Sequence, residues 1–141
     1  MPEEESTLKM LATVPLFSNV ARGHLKGLAK SGTQLSYETG RAVVRQGEKG
    51  VGFYLVLDGE LEVRKDGKRV ASLQPGNFFG EMALFDDQPR TADVVASKPS
   101  RCLVFNRWEF WGTIAKEPEV LEALLRETVR RLRSSGSGFS E

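Results

Sequence analysis

One cysteine, one histidine, nearly balanced charge and no long apolar run distinguish this 141-residue chain. Each scarcity removes a class of function. The lone Cys102 permits no internal disulfide, and beside apolar Leu103 and Val104 it reads as a small core residue. His24, in ARGHLKG, lies in a helical region far from any nucleophile, so no triad can be built and no enzyme activity is expected. A metal-dependent β-roll enzyme needs a histidine cluster that is absent, so neither a metal nor a cofactor is expected. Twenty basic against nineteen acidic residues leave a net charge of +1, too little for a bulk field that recruits nucleic acid or an anionic membrane. Apolar runs such as FYLVL at 53–57 are far too short to span a bilayer. The acidic start MPEEES is the reverse of a signal peptide, and the expected location is cytoplasmic.

What is present fits one domain, long enough to bury roughly two-thirds of its unfolded surface. Helical spacing runs over 5–31, through Leu8, Leu11 and Ala12 and then Leu25, Leu28 and Ala29, with Pro15 between the two pieces. From Thr33 the period falls to two, and AVVRQ, FYLVLD, ELEVRK and RVASL read as short strands separated by glycines. Asp58-Gly59 and Asp66-Gly67 each predict a tight hairpin, making Phe53 to Leu73 an antiparallel meander with Leu61 and Val63 inward and Glu60, Glu62 and Arg64 outward. TADVVAS and CLVFN add two more strands, which places the β region at 33–106. Helices follow over 107–133, opening with Trp108, Phe110 and Trp111, whose expected role is core packing. After Pro118, the series Leu121, Leu125, Val129 and Leu132 predicts an apolar helix face, and 134–141 (SSGSGFSE) reads as a flexible tail. The plan of helices, many short strands and helices predicts a mainly β domain over 1–133, a small antiparallel barrel or jelly roll with flanking helices.

The chemistry concentrates in FGEMALFDDQPRTADVV, residues 78–94. Gly80, a short helix-forming run and then Arg90 suit an anion, because helix-start amides and a guanidinium both prefer negative charge. Glu81 repels a phosphate, so the stretch makes sense for a ligand that also offers a donor such as a sugar hydroxyl. The plain alternative is a loop salt bridge between Glu81 and Arg90 beside an ordinary short helix. Asp86 and Asp87, two adjacent carboxylates without further ligands, make a weak metal signal and read as solvated loop residues.

GFYLVLDGELEV, then PGNFFGEMAL, then PRTA resembles the cyclic nucleotide-binding domain family, over about residues 10–133. The resemblance implies an eight-stranded antiparallel β-roll with a helical phosphate-binding cassette and a C-terminal lid helix. It also implies a ligand, a 3′,5′-cyclic nucleotide with one phosphate and one free ribose hydroxyl; cyclic AMP is expected, with cyclic GMP as the alternative. Arg90 and the amides around Met82 and Ala83 would meet the phosphate, Glu81 the 2′-hydroxyl, and Phe79 and Gly80 would bring backbone close to the sugar. Thr91 falls at the base-discriminating position, Val63, Val70 and Ala71 on strands lining base and ribose, and Ser135 near a lid contact to adenine. The expected role is a sensor that signals through its C-terminal helix to an effector protein or a second copy; the rival is an interaction or dimerisation module that uses no nucleotide. Roughly eight residues follow Arg133, too few for the helix-turn-helix of the family's transcriptional members, so no direct nucleic-acid contact is expected.

Overall fold

The computed structural model describes residues 2–17, 20–50, 52–80 and 89–134. Helix α1 (Pro2–Thr13) buries Leu8 and Leu11, a spacing that brings both to one face, and Pro15 ends it in a 3-10 turn, Pro15–Phe17. Helix α2 (Arg22–Ser31) buries Leu25 and Leu28 by the same periodicity. Eight strands follow among the described residues: β1 (Thr33–Tyr37), β2 (Ala42–Val44), β3 (Phe53–Asp58), β4 (Leu61–Lys65), β5 (Lys68–Leu73), β6 (Phe78–Phe79), β7 (Asp93–Ala96) and β8 (Ser100–Phe105). Helix α3 (Arg107–Gly112), a 3-10 turn (Ile114–Lys116) and helix α4 (Pro118–Ser134) complete the order. The strands form two four-stranded sheets, β1-β8-β3-β6 and β2-β7-β4-β5, and every pairing is antiparallel. This is the expected mainly β roll flanked by helices.

Two cores follow from the alternation of side chains along the strands. Phe53, Leu55 and Leu57 of β3, with Leu103 and Phe105 of β8, face the helices and pack with Leu11, Phe17, Phe110, Ile114, Val120 and Leu124. Val56 of β3 and Cys102 of β8 face the other way, into a core between the sheets with Leu61, Val63, Phe79, Val94 and Ala96. FYLVL is continuously apolar because both faces of β3 are covered.

Burial in the inter-sheet core pushes the Cys102 thiol up to about 12. The thiolate is the reactive form, so native protein at about pH 8 should label with a thiol reagent only as fast as it unfolds. Rapid stoichiometric labelling of folded protein would show that the inter-sheet core opens locally.

Three expectations change. Asp66-Gly67 is a true hairpin, with positive φ at both residues (53° and 80°) and Lys65 opposite Lys68. Asp58-Gly59 is not: β3 and β4 belong to different sheets, and Asp58 stays in β3 opposite Arg101 while only Gly59 takes positive φ. The chain crosses there from one sheet to the other, so Phe53 to Leu73 is no meander, although Leu61 and Val63 do point inward. The crossing is tied down by the Glu60 N–H donating to Ser100 Oγ (3.0 Å) and the Ser97 N–H donating to the Glu60 carbonyl (3.0 Å). Gln74, Ser72 and Ser97 donate to the Glu60 carboxylate and hold its pKa below the usual carboxylate value.

The second correction concerns the tryptophans. Only Phe110 enters the core; Trp108 is 76% exposed and Trp111 41%. An Asn106–Glu109 capping box fixes where α3 begins, and that phase turns Phe110, not its neighbours, toward Phe53 (5.4 Å between ring centroids). The third is the face of α4. Val120 and Leu124 are buried, Leu121 is partly buried, and Leu125 and Val129 are exposed, so the docked face lies one residue round from the anticipated stripe.

Candidate functional site

β6 is only two residues long and ends at Gly80, whose φ of +90° suits glycine alone. A Cβ on Gly80 would overlap the carbonyl oxygen of Gly52, just before β3, and would sit 3.0 Å from Arg90 Nη1. Across the same space Arg90 Nη2 donates to the Gly52 carbonyl at 3.2 Å and lies 3.1 Å from where a Cβ on Gly50 would be. Gly50 and Gly80 thus let backbone close around the guanidinium, while a Cβ on Gly52 would meet the Tyr54 ring. The main chain of Arg90 is fixed as well: the Arg90 N–H donates to the Glu48 carbonyl, and the Gly47 N–H donates to the Arg90 carbonyl, both at 2.9 Å.

One wall beside the guanidinium is aromatic. Tyr54 and Phe79 are cross-strand partners on β3 and β6, and their rings stack at 4.6 Å with planes 6° apart. The Arg90 guanidinium carbon lies 5.8 Å from the centre of the Tyr54 ring. Burial raises the Tyr54 hydroxyl pKa, the charge of Arg90 opposes it, and the phenol stays neutral. Tyr37, packed against the same core, is pushed up to about 12, first by burial and then by Tyr54 and Cys102.

The site residues anticipated from sequence are not equally assembled. Phe79, Gly80 and Arg90 come together as described. Thr91 follows Arg90 half-buried, and Ala92 after it enters the inter-sheet core. Val63 and Ala71 face each other across β4 and β5, and both pack in the core that also holds Tyr54 and Phe79. Val70 does not join them: the β4–β5 register shifts between Val63 and Arg64, and Val70 is left 54% exposed. Glu81, Met82, Ala83, Asp86, Asp87 and Ser135 lie outside the described residues. Among the described residues no cluster of histidine, cysteine or carboxylate could hold a metal ion, and no helix is long and apolar enough to cross a membrane.

Sequence reasoning missed Tyr54, Gly50 and Gly52. The glycines looked like turn punctuation: Gly50 makes room for Arg90, forty positions on, and Gly52 for the Tyr54 ring, whose role shows only once Arg90 is beside it. Chemically, the arrangement sets a planar guanidinium, a group that suits phosphate oxygens, beside an aromatic pair and an apolar inter-sheet core.

Comparison with known proteins gives the family. A family model described as the cyclic nucleotide-binding domain matches residues 34–117. The chain is 28% identical over 138 residues to a CRP-like cAMP-activated global transcriptional regulator of Mycobacterium tuberculosis, covering 94% of this chain and 62% of that protein. It is 44% identical over 88 residues to a cAMP-dependent protein kinase regulatory subunit of Yarrowia lipolytica, covering 61% of this chain and 24% of that one. The structure of the Thermus thermophilus catabolite activator protein matches with a TM-score of 0.78 at 30% identity, over 86% of this chain and 60% of that chain. The chain therefore spans less than two thirds of the length of these relatives. Because the family model covers more than half of the sequence, from β1 to the turn before α4, the chain belongs to the cyclic nucleotide-binding domain family.

Proposed function

We propose that this cyclic nucleotide-binding module takes cyclic AMP and works as a cytoplasmic sensor. The observation that carries the reading is the Arg90 guanidinium, enclosed by Gly50, Gly52 and Gly80 and bordered by the Tyr54–Phe79 stack. Arg90 binds the cyclic phosphate, joined by amides around Met82 and Ala83, and Glu81 accepts the ribose 2′-hydroxyl proton. Gly80 gives the sugar a close backbone approach, Phe79 backs the site, Val63 and Ala71 border the base and ribose, and Thr91 reaches the base edge or the phosphate. Relatives that carry cyclic AMP in their names stand beside cyclic-GMP-dependent protein kinases, so the choice of base rests on the titration below.

The signal passes through α4 to an effector protein or a second copy. The exposed Leu125 and Val129 support this, since they leave an apolar edge of the helix without cover from the described residues. Calorimetric titration with cyclic AMP, cyclic GMP and 2′-deoxy cyclic AMP tests the ligand. Cyclic AMP should bind tightest, and Glu81→Gln should narrow the gap between the ribose and deoxyribose forms. No heat with any of the three would leave the nucleotide-free interaction module as the better reading, and an undiminished ribose preference in the variant would remove Glu81 from its role.

A further inference from the structure

β3 turns Phe53 and Leu55 toward the helices, so the alternation of side chains turns Tyr54 the other way, toward the core between the sheets. There its ring touches the site on more than one side. It lies flat on Phe79, the residue before Gly80, with 4.6 Å between ring centres and planes 6° apart. Its phenol edge covers Gly52, where a Cβ would stand 2.8 Å from Tyr54 Cε1, 3.1 Å from Cζ and 3.2 Å from the hydroxyl oxygen. The Gly52 carbonyl is in turn the atom that accepts from Arg90 Nη2 at 3.2 Å and that a Cβ on Gly80 would overlap. Finally, the Arg90 guanidinium carbon lies over the Tyr54 ring, 5.8 Å from its centre.

Tyr54 therefore touches the guanidinium itself and also the peptide to which that guanidinium donates. The two contacts constrain different things. A hydrogen bond from one nitrogen holds a point and lets the guanidinium plane swing about it, whereas a ring face attracts the delocalised cation over its surface and resists that swing. Together they fix the plane.

We propose that Tyr54 is a positioning residue of the phosphate site, whose ring, seated by Phe79 and by the missing side chain of Gly52, sets the plane of the Arg90 guanidinium before any ligand arrives. This rests on the nucleotide reading only where affinity is concerned. The gain is preorganisation: a long, rotamer-rich side chain that is already ordered loses less freedom when an anion binds. The competing role is a core tyrosine that only fills space between the sheets, and it makes no demand on the order of Arg90.

The first test is 15N relaxation of the Arg90 Nε–H group in protein without nucleotide, its resonance assigned by its loss in Arg90→Lys. In Tyr54→Leu the order parameter should fall from about 0.85 to below about 0.6. Tyr54→Phe keeps the ring and should stay as the wild type. Gly52→Ala keeps the tyrosine but pushes its ring aside, and should loosen Nε as leucine does; Gly52 has no left-handed φ, so alanine suits its backbone and serves where the leucine variant does not fold. Unchanged Nε order in folded Tyr54→Leu, or in Gly52→Ala in its place, would overturn the proposal, as would equal loosening in Tyr54→Phe. A second arm titrates cyclic AMP into Tyr54→Leu in the wild-type and Arg90→Lys backgrounds. Binding should weaken about two- to thirty-fold in the first. The factor should be clearly smaller in the second, because an ammonium has no plane to set. The same factor in both would make Tyr54 a general support of the fold and overturn its action through Arg90. A wild type that binds no nucleotide refutes the ligand reading instead, and the relaxation arm still decides the positioning.

Discussion

Replacing Arg90 with alanine should lower cyclic AMP affinity by about 2–5 kcal/mol, a loss of about thirty- to a few thousand-fold. The size follows from the surroundings. The guanidinium is part-buried, enclosed by backbone at three glycines and bordered by a stacked aromatic pair, so the phosphate it binds would be shielded from the water that could replace it. Arg90→Lys should recover part of the loss, since it restores the charge without the planar fork. Because Arg90 also bonds the Gly52 carbonyl, melting temperatures must be measured alongside; a variant that folds as the wild type does and keeps full affinity would end the phosphate assignment.

The largest stability effect is expected at the sheet crossing. Gly59 has a φ of +91°, and a Cβ there would overlap Ser100 Oγ, the Pro99 carbonyl and Ser100 Cα. Two of these three atoms are main chain, and Ser100 is held in β8 opposite Tyr37, so the overlap cannot be relieved by a rotamer change. Left-handed strain and a backbone clash together should cost Gly59→Ala about 2–4 kcal/mol. Gly67→Ala is the internal control: its φ is +80°, but nothing lies within 4 Å of its would-be Cβ, so only the strain of about 1–2 kcal/mol remains. Urea denaturation of both variants checks the contrast, and equal losses would show that the crossing yields more readily than its geometry implies.

These two glycines also mark how far local pattern reaches. Each follows an aspartate, eight residues apart, and nothing within the dipeptides tells a hairpin from a crossing. The difference lies in partners: Asp66 can adopt positive φ because Lys65 and Lys68 close the ladder across it, while Asp58 is kept extended by Arg101, more than forty residues away in sequence. The alternation that sorts Leu61 and Val63 inward was legible because it depends on neighbours two residues apart. The phase of α3 and α4 was not, since Trp108 and Leu125 are as apolar as the residues that won the core, and only the cap at Asn106 and the fit of Val120 decide between them. At the site, Gly80 and Arg90 stood out through their chemistry; Tyr54 did not, because a tyrosine in an apolar strand looks like any other core aromatic until Phe79 and Arg90 are placed beside it.

β3 and β8, apolar on both faces, also govern how the molecule comes apart. They are paired to each other, and each contributes side chains to both cores, so stripping the helices from the roll would expose the backs of strands whose other faces line the inter-sheet core. The two cores cannot melt independently. Heating should give a single transition in which far-ultraviolet circular dichroism and tyrosine absorbance change together. A bound nucleotide should move that one midpoint upward as a whole.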